Sequence, residues 1–154
     1  MPLSIERFRV MVSVHSSGSV VETLRSKGLR VTPQRVAVYD NLLGRTDHPT
    51  VDQIMVDLNQ GLPISSKATV YSTLASLREA GLVREILLEE GVTRYDSNVA
   101  RHHHFRCSSC GAIIDVPWDA IKVDLPEQLP GGHQVMSHEV TVYGVCQACQ
   151  DRAK

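Results

Sequence analysis

The sequence predicts an α+β fold, with short helices in the first half of the chain and strands in the second. Three observations support this prediction. Apolar residues recur at helical spacing up to Leu77, extended segments follow Gly81, and two Cys-x-x-Cys pairs bracket the last third. A length of 154 residues, with 42% hydrophobic and 21% charged residues, is ordinary for a globular protein and allows one domain or two small ones.

The first two helices are predicted from apolar spacing and from the residues at their ends. Gly28 would end the first helix, whose apolar face comprises Val20, Val21 and Leu24. Thr32 would cap the second helix, and Pro33 suits its first position because no amide hydrogen is needed there. The inner face of this second helix would comprise Val36, Tyr39, Leu42 and Leu43.

The next two helices carry clearer capping signals. Thr50 and Gln53 form a capping box, and this third helix would end before Gly61. Ser66 would cap the fourth helix, and Gly81 would terminate it. The third helix would bury Ile54 and Leu58, and the fourth would bury Val70, Leu74 and Leu77. The outward face of the fourth helix would comprise Lys67, Ala68, Tyr71, Ser72 and Ala75.

A hairpin is predicted after the fourth helix. Residues 82–88 and 92–95 are extended segments joined by a Glu89-Glu90-Gly91 turn. Helices followed by a small hairpin are the order of a winged helix, a helix-turn-helix variant that lays one helix in the DNA major groove. The alternative is an amphipathic helix whose polar face simply meets water.

The charge distribution is uneven although the net charge is −1. Residues 1–35 contain six basic and two acidic side chains, whereas five basic and seven acidic ones follow from residue 95 onward. A basic N-terminal segment suits a nucleic-acid partner, but most charge runs are solvated surface.

The second half is predicted to be a small α/β domain held by zinc. Residues 104–106, 112–116 and 140–145 have strand composition, and prolines at 126 and 130 leave room for only a short helix at 119–129. Zinc is predicted to be bound by four thiolates, from Cys107, Cys110, Cys146 and Cys149. Since neither a leader nor a membrane span is evident, we expect a cytoplasmic location, no membrane partner, and zinc binding rather than two disulfides.

Several motifs together resemble the ferric uptake regulator family. They are Gly-Leu-Arg-Val-Thr-Pro-Gln-Arg at 28–35, His48-Pro49-Thr50, Ala68-Thr69-Val70-Tyr71, His102-x-His104 before Cys107-x-x-Cys110-Gly111, and Tyr143-Gly144-Val145-Cys146-x-x-Cys149. The resemblance implies a homodimeric, metal-dependent repressor of transcription that binds a double-stranded DNA operator. It implies an N-terminal extension at 1–19, a winged-helix DNA-binding domain at 20–95, a hinge at 96–101 and a dimerisation and metal-binding domain at 102–154.

The resemblance also implies a regulatory metal site. Its ligands would be His48, Asp96, His102, His104 and Asp115. These nitrogen and oxygen donors suit Fe²⁺ or Mn²⁺. His102 and His104 would share one face of a strand, and an ion bound to both halves of the chain would fix the angle between the paired recognition helices.

Aspartate at positions 96 and 115 resembles the peroxide-responsive repressors of the family, whereas iron-uptake regulators tend to have glutamate there. This likeness implies that iron-catalysed oxidation of His48 or His102 to 2-oxo-histidine releases the iron and then the DNA, and that Mn²⁺ gives a peroxide-resistant repressor. The alternative within the family is an iron-availability regulator or another metal-uptake regulator. A zinc-uptake regulator is disfavoured because it would need a thiolate beyond the four cysteines already assigned.

Iron regulators often have a further metal site, for which this chain offers Arg101, His103, Lys122 and His138. Since Arg101 and Lys122 cannot bind a cation, we expect that site to be absent. The segment at 119–129 also looks shorter than the family's usual helix, so the dimer interface is expected to differ.

Two other classes of function have weaker support in the sequence. His102, His104 and Asp115 imitate the facial triad of non-haem iron oxygenases, but no co-substrate pocket is evident and the helical half would have no role, so we do not expect an enzyme. A protein-binding zinc module would show no metal-dependent DNA binding.

The residues that contact DNA are also predicted. Tyr71 is predicted to contact a base, and Lys67, Thr69 and Arg30 to contact phosphate or the minor groove.

Overall fold

The order of helices and strands follows the sequence prediction. The computed structural model describes residues 17–60 and 65–153. The helices are α1 Ser17–Ser26, α2 Pro33–Leu42, α3 Val51–Leu58, α4 Lys67–Glu79 and α5 Gln147–Arg152. The strands are β1 Arg84–Glu89, β2 Val92–Asp96, β3 His102–Cys107, β4 Ile113–Pro117, β5 Gln128–Leu129, β6 His133–Gln134 and β7 Thr141–Gly144. Helices, a hairpin and then a small sheet confirm the predicted α+β class. Gly61 and residues 1–16 of the expected N-terminal extension lie outside the described residues.

Side-chain caps set the starts of three helices. The hydroxyls of Thr32, Thr50 and Ser66 accept hydrogen bonds from amides three residues later, and Gln53 completes the capping box of α3. Such a cap stabilises a helix by about 1 kcal/mol because it satisfies an amide that the helix leaves unpaired. The predicted starts of α2, α3 and α4 are therefore confirmed.

The helical half has its own apolar core. The residues predicted to face inward on α4 are almost fully buried, as is Ile54 of α3. The core also includes Val38, which the sequence prediction missed. The buried members contributed by the helices are Val20, Leu24, Val38, Tyr39, Leu42, Val51, Ile54, Val70, Leu74 and Leu77.

The β1–β2 hairpin is attached to the segment before α3. β1 and β2 are antiparallel, with Arg84 opposite Asp96. The amide of Tyr95 donates to the carbonyl of Pro49 at 3.0 Å, and Thr50 bridges to Arg94. This attachment brings the end of β2 next to the loop that carries His48.

The second half is built on a sheet with strand order β4-β3-β7. β3 is antiparallel to β4 and parallel to β7, so His104 lies opposite Asp115 on one side and opposite Thr141 on the other. The segment predicted to hold a short helix contains a 3-10 turn at Trp118–Ala120, followed further on by the β5–β6 ribbon. The histidines of the central strand β3 therefore lie between β4 and β7.

Among the residues that the structure describes, none of the helices has the length and apolar character needed to span a membrane.

Candidate metal centres

The four cysteines converge at one end of the sheet. Cys107 ends β3, Cys110 lies in the following turn, and Cys146 and Cys149 lie at the start of α5 and within it. Their Sγ atoms are all within 4.8 Å of one another, and none is in a disulfide. Cys110 Sγ and Cys146 Sγ are 3.8 Å apart, which is too long for a disulfide. It is close to the edge of about 3.8 Å expected for a tetrahedron with Zn–S bonds of about 2.3 Å.

Backbone amides favour the thiolate form of Cys107. The amides of Cys146 and Cys110 lie 3.3 and 3.5 Å from Cys107 Sγ. Their hydrogen bonds lower the pKa of the Cys107 thiol to about 6. Since the thiolate is the form that binds metal, the turn that presents this sulfur also prepares it for zinc.

The second cluster contains the five residues assigned to the regulatory site. One donor atom from each residue lies within 4.8 Å of the others. The donors come from different elements: the loop before α3, the end of β2, β3 and β4. The structure therefore brings together side chains from both halves of the chain, namely His48, Asp96, His102, His104 and Asp115.

Hydrogen bonds orient the three imidazoles of this cluster. In each ring Nδ1 faces an oxygen acceptor, so a proton on Nδ1 leaves the lone pair of Nε2 directed at the other ligands. Metal-binding histidines usually have this second contact. The pairs are His48 with the carbonyl of Ile113 at 3.2 Å, His102 with the carbonyl of Ala100 at 2.8 Å, and His104 with the carboxylate of Glu139 at 2.8 Å.

The spacing of the inward atoms fits ligands of a single ion. His102 Nε2 lies 3.1 Å from both His104 Nε2 and Asp96 Oδ2, and His48 Nε2 lies 2.7 Å from Asp115 Oδ1. Neighbouring ligands of an octahedral ion, each about 2.1 Å from it and at right angles, are about 3 Å apart. Asp96 Oδ2 is buried and has no hydrogen-bond partner. A buried carboxylate oxygen without a donor is costly, and a bound cation would compensate for it.

The backbone at His48 is unusual. Its φ is +49°, and it is the one non-glycine residue with positive φ among those that the structure describes. Arg94 donates to the His48 carbonyl at 3.2 Å, and Arg45 pairs with Asp47 at 2.6 Å and also with Asp57. These contacts hold the loop in a conformation that is costly for a non-glycine residue, as is common at functional sites.

Burial favours the neutral form of His104. Desolvation lowers its pKa, although the hydrogen bond with Glu139 opposes this effect. A neutral imidazole is the form that binds a metal ion.

The sequence prediction missed two residues that hold the ligands. Asn98 donates from its backbone amide to Asp96 Oδ1 at 2.7 Å and from its side chain to Asp115 Oδ2 at 3.2 Å. Glu139 holds His104, which is 35 positions away. No motif marks either residue, because the contact of Asn98 with Asp115 spans 17 positions and that of Glu139 with His104 spans 35.

Three of the four residues that the sequence offers for a further metal site pack around Trp118. His103 is fully buried and stacks on Trp118 at 4.4 Å between ring centroids. His138 contacts the same indole at 4.7 Å, and the guanidinium of Arg101 lies 4.2 Å from its centroid. These side chains pack on Trp118, and the expectation that no metal binds here stays a prediction.

The predicted DNA-contacting residues lie at the start of α4 and before α2. Tyr71 is 49% exposed, and Arg30 is exposed. Lys67 Nζ forms an exposed ion pair with Asp52 at 2.6 Å. The hydroxyl of Thr69 lies 2.9 Å from that of Ser66, so this side chain belongs to the cap of the helix. Tyr71, Lys67 and Arg30 are exposed to solvent, and their contacts with DNA stay predictions.

Comparisons with known proteins point to one family. The profile of the ferric uptake regulator family matches residues 26–143. A peroxide operon regulator of Bacillus subtilis is 37% identical over 144 residues, which cover 92% of this chain and 98% of that protein. A peroxide-responsive repressor of Staphylococcus aureus is 33% identical over 90% of this chain and 94% of its own length.

A solved structure shows the same fold. The Vibrio cholerae ferric uptake regulator has a TM-score of 0.62 and 27% identity, with 81% of this chain and 98% of that chain covered. The motifs, the fold and these relatives agree, and the chain belongs to the ferric uptake regulator family.

Proposed function

We propose that this chain is a metal-dependent, DNA-binding repressor of transcription that senses peroxide through oxidation of its regulatory metal site. The observation that carries the proposal is the convergence of five nitrogen and oxygen donors from both halves of the chain on one point. The names of the relatives, a peroxide operon regulator and a peroxide-responsive repressor, support the peroxide signal.

Two metals have different roles in this proposal. Zn²⁺ held by Cys107, Cys110, Cys146 and Cys149 is structural, because all four ligands are protein thiolates and no position is left open. Fe²⁺ or Mn²⁺ suits the second cluster, because imidazole and carboxylate donors fit these ions and no cysteine belongs to that cluster. Four reduced thiols also fit the reducing cytoplasm.

The regulatory ligands connect the two halves of the repressor. We place the winged-helix domain at 20–95, the hinge at 96–101 and the dimerisation domain at 102–154. The hinge then lies between the end of β2, where Asp96 binds, and the start of β3, where His102 binds. His48 contributes from the DNA-binding side. An ion held at all three positions favours one angle between the domains, and only this angle lets a dimer reach both half-sites of an operator.

The proposed DNA-binding and dimer surfaces are those where the relevant side chains are exposed to solvent. The exposed face of α4, with Tyr71 and Lys67, is proposed to enter the major groove, while Thr69 and Arg30 lie near the backbone or the minor groove. The second half of the chain leaves apolar side chains exposed on the sheet, and we propose that a second copy covers them. These side chains are Ile114, Val142 and Tyr143.

The proposed signal is oxidation of a ligand imidazole. Bound ferrous iron would supply one electron to break the O–O bond of hydrogen peroxide and would regain one electron from the hydroxylated ring. The net change inserts one peroxide oxygen at the ring C–H of His48 or His102, and the other oxygen leaves as water, so the ring is oxidised by two electrons and peroxide is reduced by two. A 2-oxo-histidine no longer offers the Nε2 lone pair. The ion is then lost and the DNA is released.

The decisive experiment measures DNA binding with Fe²⁺ or Mn²⁺, before and after peroxide, followed by mass analysis of the peptides that contain His48 and His102. We expect release and a gain of one oxygen with Fe²⁺ and neither with Mn²⁺. Loss of DNA binding on chelation without oxidation at these histidines would instead indicate an iron-availability regulator. Metal-independent DNA binding would overturn both alternatives.

A further inference from the structure

Glu139 contacts both halves of the chain. Its Oε1 accepts a hydrogen bond from Nδ1 of His104 at 2.8 Å, and its Oε2 lies 3.0 Å from Nη2 of Arg84. His104 lies on β3, whereas Arg84 is the first residue of β1 in the hairpin. A single carboxylate therefore links a candidate metal ligand to the base of the hairpin.

We propose that Glu139 is a positioning residue that couples metal binding at His104 to the base of the β1–β2 hairpin. This inference rests on the proposed function, because it takes His104 as a ligand of the regulatory ion. Oε1 of Glu139 fixes the His104 tautomer in which Nε2 faces the ion. Oε2 of the same carboxylate holds Arg84. Contacts of this kind orient ligand histidines and raise their basicity.

The register of the hairpin strengthens this argument. Arg84 lies directly opposite Asp96, which is itself a candidate ligand. The ion would therefore act on the base of the hairpin twice, directly through Asp96 on β2 and indirectly through His104, Glu139 and Arg84 on β1. The positions of both β1 and β2 at the base of the hairpin would then depend on whether the regulatory metal site holds an ion.

The exposure of these residues shows what the link can do. The side chains of Arg84 and Glu139 are 27% and 43% exposed, so water screens their attraction and the ion pair adds little to the stability of the fold. The His104 side chain, in contrast, is fully buried. The Oε1 of Glu139 is thus held by the buried His104, whereas its Oε2 contacts Arg84 where water can reach the pair. This arrangement suits coupling between His104 and Arg84 better than stabilisation of the fold.

The test uses the full chain with its zinc in place and measures Mn²⁺ affinity by electron paramagnetic resonance. The variants are Glu139→Leu, Glu139→Gln, Arg84→Met and the double variant Glu139→Leu/Arg84→Met. Arg78→Met is the matched control, because it removes a 2.8 Å ion pair with Glu85 of β1 that does not reach His104.

We expect Glu139→Leu to weaken Mn²⁺ binding by about 10-fold to 100-fold, the usual effect of losing such a contact. Glu139→Gln keeps an acceptor for His104 and should lose less. Arg84→Met should weaken binding, and the double variant should be no weaker than Glu139→Leu, because the two residues act through one link. Arg78→Met should match the wild type.

A second readout separates positioning from a structural role. Nitrogen-15 spectra of histidine-labelled, manganese-free protein should show His104 protonated at Nδ1 in the wild type and the Gln variant, and a mixture of tautomers in the Leu variant. Wild-type Mn²⁺ affinity in Glu139→Leu, or additive losses in the double variant, would overturn the inference while leaving the proposed function intact. A wild-type protein that binds no Mn²⁺ would remove the proposed function as well.

Discussion

His48 Nε2 lies 2.7 Å from Asp115 Oδ1, although the two residues are 67 positions apart in the sequence. The other ring nitrogen of His48 lies 3.2 Å from the carbonyl of Ile113. A neutral imidazole has one N–H and can donate only once. Both contacts cannot then be satisfied unless the ring is protonated at both nitrogens or Nε2 faces a cation. A divalent ion between His48 and Asp115 would resolve this conflict and would tie the two halves of the chain together.

Removal of the His48 ring should therefore weaken regulatory metal binding. We expect His48→Ala to lower Mn²⁺ affinity by at least about tenfold, because one ligand and the link to the DNA-binding half are lost together. Isothermal titration measures the change, with His133→Ala as the control, since His133 is exposed on β6. Equal Mn²⁺ affinity in the wild type and the His48 variant would exclude His48 as a ligand.

Loss of one thiolate should remove the structural zinc. Cys110→Ser is expected to reduce the zinc content from about one ion per chain to nearly none and to lower the unfolding temperature, because a closed zinc site contributes folding free energy directly. Metal analysis and calorimetry measure both effects. Ser109→Ala changes the neighbouring exposed residue and should alter neither. A fully zinc-loaded, equally stable Cys110 variant would contradict the assignment.

Local signals made much of the helical half predictable. Thr32, Thr50 and Ser66 cap their helices as expected, because a cap needs only residues three positions apart. The buried face of α4 follows from helical spacing for the same reason. Val38 was missed because the apolar pattern of α2 is less regular, and its burial depends on how the neighbouring helices pack.

The metal site was predictable only in part. The Cys-x-x-Cys spacing indicates zinc directly, whereas His48, Asp96 and Asp115 are predicted as ligands only through the family resemblance. Asn98 and Glu139 were not found, because each contacts the site from a separate segment and belongs to no motif. Which residues hydrogen-bond to the candidate metal ligands depends on how the strands and the hinge pack together. The spacing of apolar residues along the sequence does not predict this packing.

The capping box of α3 should matter to stability. Thr50→Ala removes the oxygen that accepts from the Gln53 amide and should reduce the free energy of unfolding by about 1 kcal/mol. Urea denaturation measures the loss. Thr46→Ala, in the exposed loop before His48, should change stability by less than about 0.5 kcal/mol. An equal effect of both substitutions would show that the cap does not stabilise the helix.

Lys67 should contribute to DNA affinity without sequence preference. Its ion pair with Asp52 is exposed, so Lys67 can exchange that carboxylate for a phosphate at little cost. We expect Lys67→Ala to weaken binding to duplex DNA uniformly and to reduce the slope of log affinity against log salt by about one. Fluorescence anisotropy at several salt concentrations measures this slope. Lys122→Ala, which changes an exposed residue of the proposed dimerisation domain, is the control. An unchanged slope in the Lys67 variant would remove it from the interface.

Glu89 should make the stability of the fold sensitive to acid. Hydrogen bonding from Arg106 lowers the pKa of this carboxyl below its usual value, and the charge of Arg94 acts in the same direction. Because the folded pKa is depressed, the stabilisation is fully present above the unfolded value of about 4.3 and is lost as pH falls through the folded pKa.

Stability curves between pH 7 and pH 3 can isolate this contribution. Glu89→Gln should be less stable than the wild type near pH 6, and the difference should shrink towards pH 3, because the wild-type carboxyl then becomes neutral as well. Glu90→Gln, at the neighbouring exposed position, should follow the wild-type curve throughout. A Glu89→Gln curve parallel to that of the wild type would show that its ion pair with Arg106 does not stabilise the contact between the hairpin and β3.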